Sequence, residues 1–549
     1  MLQRYIESSW QRLTRSHKDL VAAASDPKVA SPDGRWVVYV PPAEDLSRVA
    51  GELRRTVGPG DLAKLLLRTL PATPVEPRGR DRSKDAARLG RGARDAGELD
   101  RHGLLYLPHP YVVPGGRFNE MYGWDSFFIV LGLLDAGLVD LARMMTDNHL
   151  YQVRHYGTVL NANRTYYLTR SQPPFLAEMV LRVYRRTGDR AWLARALPEI
   201  ETYYRYWTRE PHLVKETGLS RYFDTGAGPA PEVVAGERDA AGRSHYDRLL
   251  ERFRTGAVEG YDSSLFYDRS ADRLTDLFYV ADRSMRESGF DPSDRFGTFN
   301  AGAIYFNPVC LNSLLHLMER RTGEICRILD DPDGARRWEA RAALRRLLID
   351  RWLWNDEAGL YLDYDFRQRT HRRYPFLTTF FPLWVGVASS RQAALVALRL
   401  ALFETPGGLQ TSTRVSGNQW DAPFGWAPLV QAAVEGLRAY GHVEAADRIT
   451  VKFLSMLIAD FLRTGALFEK YDVVRRCSQV AGSLKFGYTS NEIGFGWTNA
   501  AFSILYASLS PSRRHELLRL DGIDGASAAV RNPEHGGTME RPGGQEARR

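Results

Sequence analysis

The sequence predicts an all-α protein built as a closed double ring of helices, an (α/α)6 barrel, and three observations carry that expectation. Downstream of Gly123, apolar helical stretches alternate with charged amphipathic ones, joined by short turns. The apolar stretches fall at about 125–136, 174–187, 305–319, 378–388, 424–440 and 497–509, and the charged ones at about 139–154, 190–208, 333–353, 390–403 and 443–463. Apolar helices inside and half-polar helices outside are what a two-layer ring requires, because only the outer layer meets water. The missing sixth outer helix has two candidate sources, 2–24 and 511–520, and the sequence does not choose between them.

The flanks read differently. Residues 1–104 form an N-terminal helical extension, within which 71–102 hold Pro71, Pro74, Pro77 and a mixed-sign charged run expected to be a mobile linker. The barrel is expected over 105–521, and 522–549, rich in Gly, Pro, Ala and charge, as a disordered tail. A hydrophobic content of 44% and an aromatic content of 11% belong to a globular chain, and 549 residues suffice for a large core.

Composition also narrows the function. The net charge of +8 comes mostly from arginines interleaved with acids along helices, a solvated face and not a nucleic-acid module. No run of about 18 apolar residues suggests a membrane span, and the first ten residues lack a secretory pattern, so a cytoplasmic location is expected. Cys310, Cys326 and Cys477 are widely spaced, without Cys-x-x-Cys or a nearby His pair, and are expected to be free thiols. No Gly-x-Gly-x-x-Gly or phosphate loop appears, and no cofactor or metal is called for.

Two runs concentrate the chemistry. Residues Pro114 to Asp125 (PGGRFNEMYGWD) combine a glycine turn, an arginine, two carboxylates and three aromatics, and Gln419 to Pro428 (QWDAPFGWAP) repeats that character far downstream. Carboxylates and guanidiniums take pairs of sugar hydroxyls, and aromatic faces take the sugar C–H surface, so this mixture suits a carbohydrate. Both runs lie at the starts of inner helices, so ring closure would gather them at one end of the barrel.

These runs resemble the two signature motifs of the α,α-trehalases, glycosidases of the six-hairpin α/α-barrel class. Further matches stand in the family's order at Asn161 to Pro174 (NANRTYYLTRSQPP), Ser288 to Asp291 (SGFD), Glu469 to Asp472 (EKYD) and Gly494 to Asn499 (GFGWTN). The resemblance covers roughly residues 105–508. It implies an inverting hydrolase that splits α,α-trehalose, with Asp291 as general acid and Glu469 as the base that activates water, the two being about 6.5–9.5 Å apart. Phe290 and Phe296 are expected to desolvate Asp291 and favour its protonated form. The resemblance further implies that Arg117, Phe118, Trp124, Asp125, Asn161, Arg170, Ser171, Gln172, Glu232 and Gly289 bind substrate, with Trp420 as a stacking platform. Arg295 is either a further site arginine or a salt-bridge partner.

The pattern is broken on the leaving-group side. Pro229-Ala230-Pro231-Glu232 retains the carboxylate but has a methyl group where the family usually has an arginine, and spacing puts Tyr488 at an expected glutamate. The substrate is therefore expected to be a small disaccharide or glucoside. Trehalose comes first, a glucosylated polyol or acid is the alternative enzyme substrate, and a non-catalytic sugar-binding protein is the rival class. Lys485 is a candidate for an anionic aglycone. Oligomeric state is not legible.

Overall fold

Every apolar stretch named above contributes to one closed inner ring. The computed structural model describes residues 1–29, 31, 33–71, 99, 101–234, 236, 238, 241–480, 484–487 and 490–520. Most of the expected linker, the whole of the expected tail and Tyr488 lie outside the described residues.

The chain opens with α1 (Leu2–Leu13). A three-stranded sheet follows, in which β1 (Trp36–Val40) lies between β2 (Leu65–Thr69) and β3 (Leu104–Leu105), both parallel to it. That sheet was not expected in a helical extension. The barrel then starts with the hairpin of α2 (Gly123–Asp135) and α3 (Val139–Tyr156), followed by α4 (Leu176–Thr187) and α5 (Arg190–Trp207). Two helices, α6 (His245–Arg254) and α7 (Asp276–Glu287), interrupt the alternation. It resumes with α8 (Val309–Ile328) and α9 (Pro332–Trp352), then α10 (Phe381–Trp384) and α11 (Ser390–Leu398). After strand β4 (Phe424–Trp426) come α12 (Ala427–Ala439) and α13 (Val443–Thr464), then β5 (Lys470–Asp472), α14 (Gly496–Ser508) and α15 (Pro511–Leu520).

Helices α2, α4, α8, α10, α12 and α14 touch in that order, and α14 returns to α2. Inner and outer members differ as the two-layer argument requires. In α2 only Leu131 and Asp135 escape full burial, whereas α9 buries a stripe of Ala335, Trp338, Ala342, Arg345 and Ile349 and turns Leu344 and Leu347 to solvent. Local signals set the starts. Asp189 accepts the Trp192 N–H ahead of α5, and Asp331 accepts the Gly334 N–H ahead of Pro332 in α9. The fourth inner helix is shorter than expected, because a 3₁₀ turn over Leu377–Phe380 precedes it and the chain leaves the helix at Val385 and Gly386.

The sixth outer position is filled from the N-terminus. Helix α1 packs on α14, and Trp10 enters the seam between α14 and α2: a β-carbon at Gly132 would lie 2.8 Å from the Trp10 ring and 2.7 Å from Ala500. Helix α15 packs on α13 instead. No helix among the described residues is long and apolar enough to cross a membrane.

Candidate active site

The motif segments meet where the inner helices begin. Trp124 and Asp125 open α2, Trp497 opens α14, and β4 leads into α12. Strand β4 pairs antiparallel with β5, setting Trp426 opposite Lys470, so the second signature run lies beside the Glu469 segment. Between these elements is a cavity of about 220 Å³.

The first signature run is fixed by a close backbone approach. Gly116, at φ 49°, sits so near Glu492 that a β-carbon would fall 1.8 Å from Oε2. The Arg117 N–H donates to that same oxygen at 2.9 Å, and the Arg117 guanidinium lies 3.3 Å from Oε1. Glu492 thus serves the site arginine, a role the sequence reading did not give it. The Trp124 N–H donates to Gln172 Oε1 at 2.9 Å, and the Gly123 N–H donates to the Asn161 carbonyl at 3.1 Å, which knits the Asn161–Pro174 segment to the first signature run.

Arginines and carboxylates alternate around the wall. Arg170 is buried, paired with Glu232 and, at 3.5 Å, with Asp224, and its guanidinium lies 4.8 Å from the Tyr167 ring centre. Burial pushes the Glu232 carboxyl up, but Arg170 and Arg286 outweigh it and hold the group below its usual value. Trp420 stacks on Trp426 at 3.7 Å and meets Phe290 edge-on.

The two candidate catalytic carboxyls differ in environment. Asp291 has a side chain 34% exposed, with Arg286 Nη1 at 3.4 Å. Desolvation in the cavity nonetheless raises it to about 6, against the pull of Arg286 and Arg170. Glu469 is buried, with Lys470 Nζ donating to its Oε2 at 2.8 Å. Its own N–H donates to the Glu492 carbonyl, and its carbonyl accepts the Trp497 Nε1–H at 3.0 Å. Asp125 is buried too, and burial, then Glu469 and Asp291, push it well above the usual carboxylate range. Asp291 is thus biased toward its acid form, while Glu469 is held beside a cation.

Of the residues expected at the site, Arg117, Phe118, Trp124, Asp125, Asn161, Arg170, Gln172, Glu232, Gly289, Asp291, Trp420 and Glu469 line the cavity. Two do not. Ser171 is fully buried, its hydroxyl within hydrogen-bond distance of the Val159 carbonyl and Tyr203 and its N–H donating to Glu287. Arg295 is fully buried as well, paired twice at 2.6 Å with Asp363 and packed among Phe290, Phe296 and Phe376. Phe296 therefore shields Arg295 and Phe306, and does not line the cavity. Ala230 is fully buried outside it, its N–H held by the Tyr246 hydroxyl. Lys485 is exposed and does not line it either.

The sequence reading missed Tyr122, Tyr167, His245, Arg248, Arg286, Gln419, Phe495 and Trp497 as lining residues, and Lys470 behind Glu469. Arg286 carried one signal. It stands five residues before Asp291 and four after Asp282, which it grips bidentately at 3.0 and 3.1 Å.

A barrel of paired helices, with carboxyls facing an aromatic and arginine-lined cavity at one end, defines the glycoside hydrolase class. Comparison with known proteins narrows this. The trehalase family profile matches residues 84–508. The chain is 34% identical to the cytosolic neutral trehalase of Emericella nidulans, over 94% of this chain and 73% of that one. It is 35% identical to its namesake from Neurospora crassa, over 90% and 71%. The structure superimposes on neutral trehalase from Saccharomyces cerevisiae with a TM-score of 0.74 at 31% identity, covering 94% of this chain and 96% of that one. The chain belongs to the trehalase family.

Proposed function

We propose that this protein hydrolyses α,α-trehalose to two glucose molecules with inversion, Asp291 acting as general acid and Glu469 as general base. The observation that carries the reading is the contrast between these two carboxyls on one cavity, Asp291 raised to about 6 and Glu469 beside Lys470. Asp291 gives its proton to the glycosidic oxygen as the bond to the anomeric carbon breaks. Glu469 takes a proton from the water that attacks that carbon from the opposite face. Arg117, Asn161, Gln172 and Asp125 surround the end of the cavity where α2 begins, and we assign them to the nonreducing glucose. Glu232, paired with Arg170, is assigned to the leaving glucose.

The substrate follows from family membership and from relatives named as trehalases. The names of those relatives also support a cytosolic location. Proton NMR of the purified protein with trehalose tests the reading. One equivalent of β-glucose appearing promptly beside one of α-glucose is the expected result, and two equivalents of α-glucose or no release would refute it.

A further inference from the structure

The cations around the cavity are not all paired locally. Arg117 faces Glu492, Arg170 faces Asp224 and Glu232, and Arg286 faces Asp282 and Asp291. Glu469 is matched by Lys470. Two further cations, Lys28 and Arg248, line the same cavity, and neither has a carboxylate partner among the described residues.

Both stand on the leaving-group side. Arg248 lies on α6, two residues after Tyr246, whose hydroxyl donates to Asp282 at 2.8 Å; Asp282 in turn grips Arg286, and Arg286 reaches Asp291. Arg248 is thus tied to the flank of the acid, where the departing oxygen sits. Its Nη1 donates to the Lys485 carbonyl at 3.3 Å and its guanidinium lies 5.9 Å from the Phe486 ring centre, while its Nε is buried without a hydrogen-bond partner. Lys28 enters from the N-terminal segment, where its neighbour Val29 packs against Tyr166 and Tyr167, next to Arg170 and hence Glu232.

A neutral sugar hydroxyl leaves such charges uncompensated, whereas an anionic oxygen neutralises them and fits the guanidinium fork. We propose that the leaving-group half of the cavity accepts a glucose bearing an anionic group, phosphate or carboxylate, held by Arg248 and Lys28. The inference rests on the trehalase reading and extends its substrate class to anionic disaccharides. The chemistry is unchanged: water's oxygen bonds to the anomeric carbon, the glycosidic oxygen leaves with the proton of Asp291, and the anionic group stays on the departing sugar.

Competition against trehalose hydrolysis tests the idea, using glucose, glucose 6-phosphate and glucuronate as inhibitors of the full-length protein. Glucose 6-phosphate or glucuronate, or both, is expected to inhibit at a concentration at least about tenfold below that of glucose, equivalent to about 1.4 kcal/mol. The two arms separate a phosphate from a carboxylate requirement. Added KCl should erode that preference, Arg248→Gln and Lys28→Gln should each reduce it, and Arg248→Lys, which keeps the charge, should retain most of it. Equal or weaker inhibition by both anions, or a preference that survives both glutamine variants, overturns the proposal. If trehalose itself is not cleaved, the trehalase reading fails, and the same comparison is then made by thermal shift. Stabilisation by either anion beyond that by glucose upholds the anion subsite, and its absence sinks it.

Discussion

Lys470 Nζ donates a 2.8 Å hydrogen bond to Glu469 Oε2, although the two residues are adjacent in sequence and both are buried. The ammonium also lies 5.4 Å from the Trp426 ring centre and 3.3 Å from the Ser490 carbonyl. It is therefore held in place from three sides. Removing it takes a counter-charge away from a buried carboxylate, which is costly. Lys470→Met is expected to lower kcat by at least about tenfold with a smaller change in KM, while Lys470→Arg restores part of the rate. Steady-state kinetics on both variants checks this.

In the proposed mechanism Asp291 sets the pH dependence. Because the proposed general acid works in its protonated form and burial raises it to about 6, kcat/KM should decline about tenfold per unit well above pH 6. Arg286 opposes that elevation, so Arg286→Gln should move the alkaline limb to higher pH, which a pH–rate profile reads directly. Stability carries the same sign. A carboxyl raised on folding makes the folded state less stable as pH climbs from about 4 through 6, so Asp291→Asn should gain in Tm relative to the parent over that window and hold the gain above it. The variant should also lose at least about a thousandfold in rate.

Arg295 makes the opposite kind of prediction. Breaking its buried pair with Asp363 should cost about 3–5 kcal/mol, seen as a lower urea midpoint for Arg295→Met. Because the residue does not line the cavity, KM of the molecules that remain folded should barely move.

Gly116→Ala tests the first signature run. Its β-carbon would displace the buried Glu492 carboxylate and crowd Glu492 Cβ at 2.9 Å, so the expected stability loss exceeds the about 1–2 kcal/mol of the left-handed backbone alone. The larger effect is on Arg117, whose pairing with Glu492 is disturbed, and KM for trehalose should rise several-fold.

What could be read from the sequence depended on periodicity and local composition. The inner helices announced themselves by unbroken apolar runs, and the outer ones by stripes such as that of α9. Site residues embedded in aromatic and glycine-rich runs, Arg117, Trp124 and Trp420 among them, were found because such runs have few structural explanations. Lys470, Arg286 and Arg248 escaped because a cation beside acids on a helix or strand looks like ordinary solvated surface until the fold buries it. Ser171 was overcalled for the converse reason: it shares a segment with Arg170 and Gln172, but the local backbone turns its hydroxyl into the protein. The short parallel sheet near the N-terminus was hidden because β3, only two residues long, pairs with a strand more than 60 residues earlier.

Trp10 wedged between Gly132 and Ala500 has a consequence for synthesis. Helix α1 meets α14 only when the last inner helix has been made, so its apolar face and that of α2 must wait while all the helices between them are translated. The barrel is stitched shut by segments far apart in the sequence, and a polypeptide interrupted anywhere between α1 and residue 496 has no completed ring to fall back on.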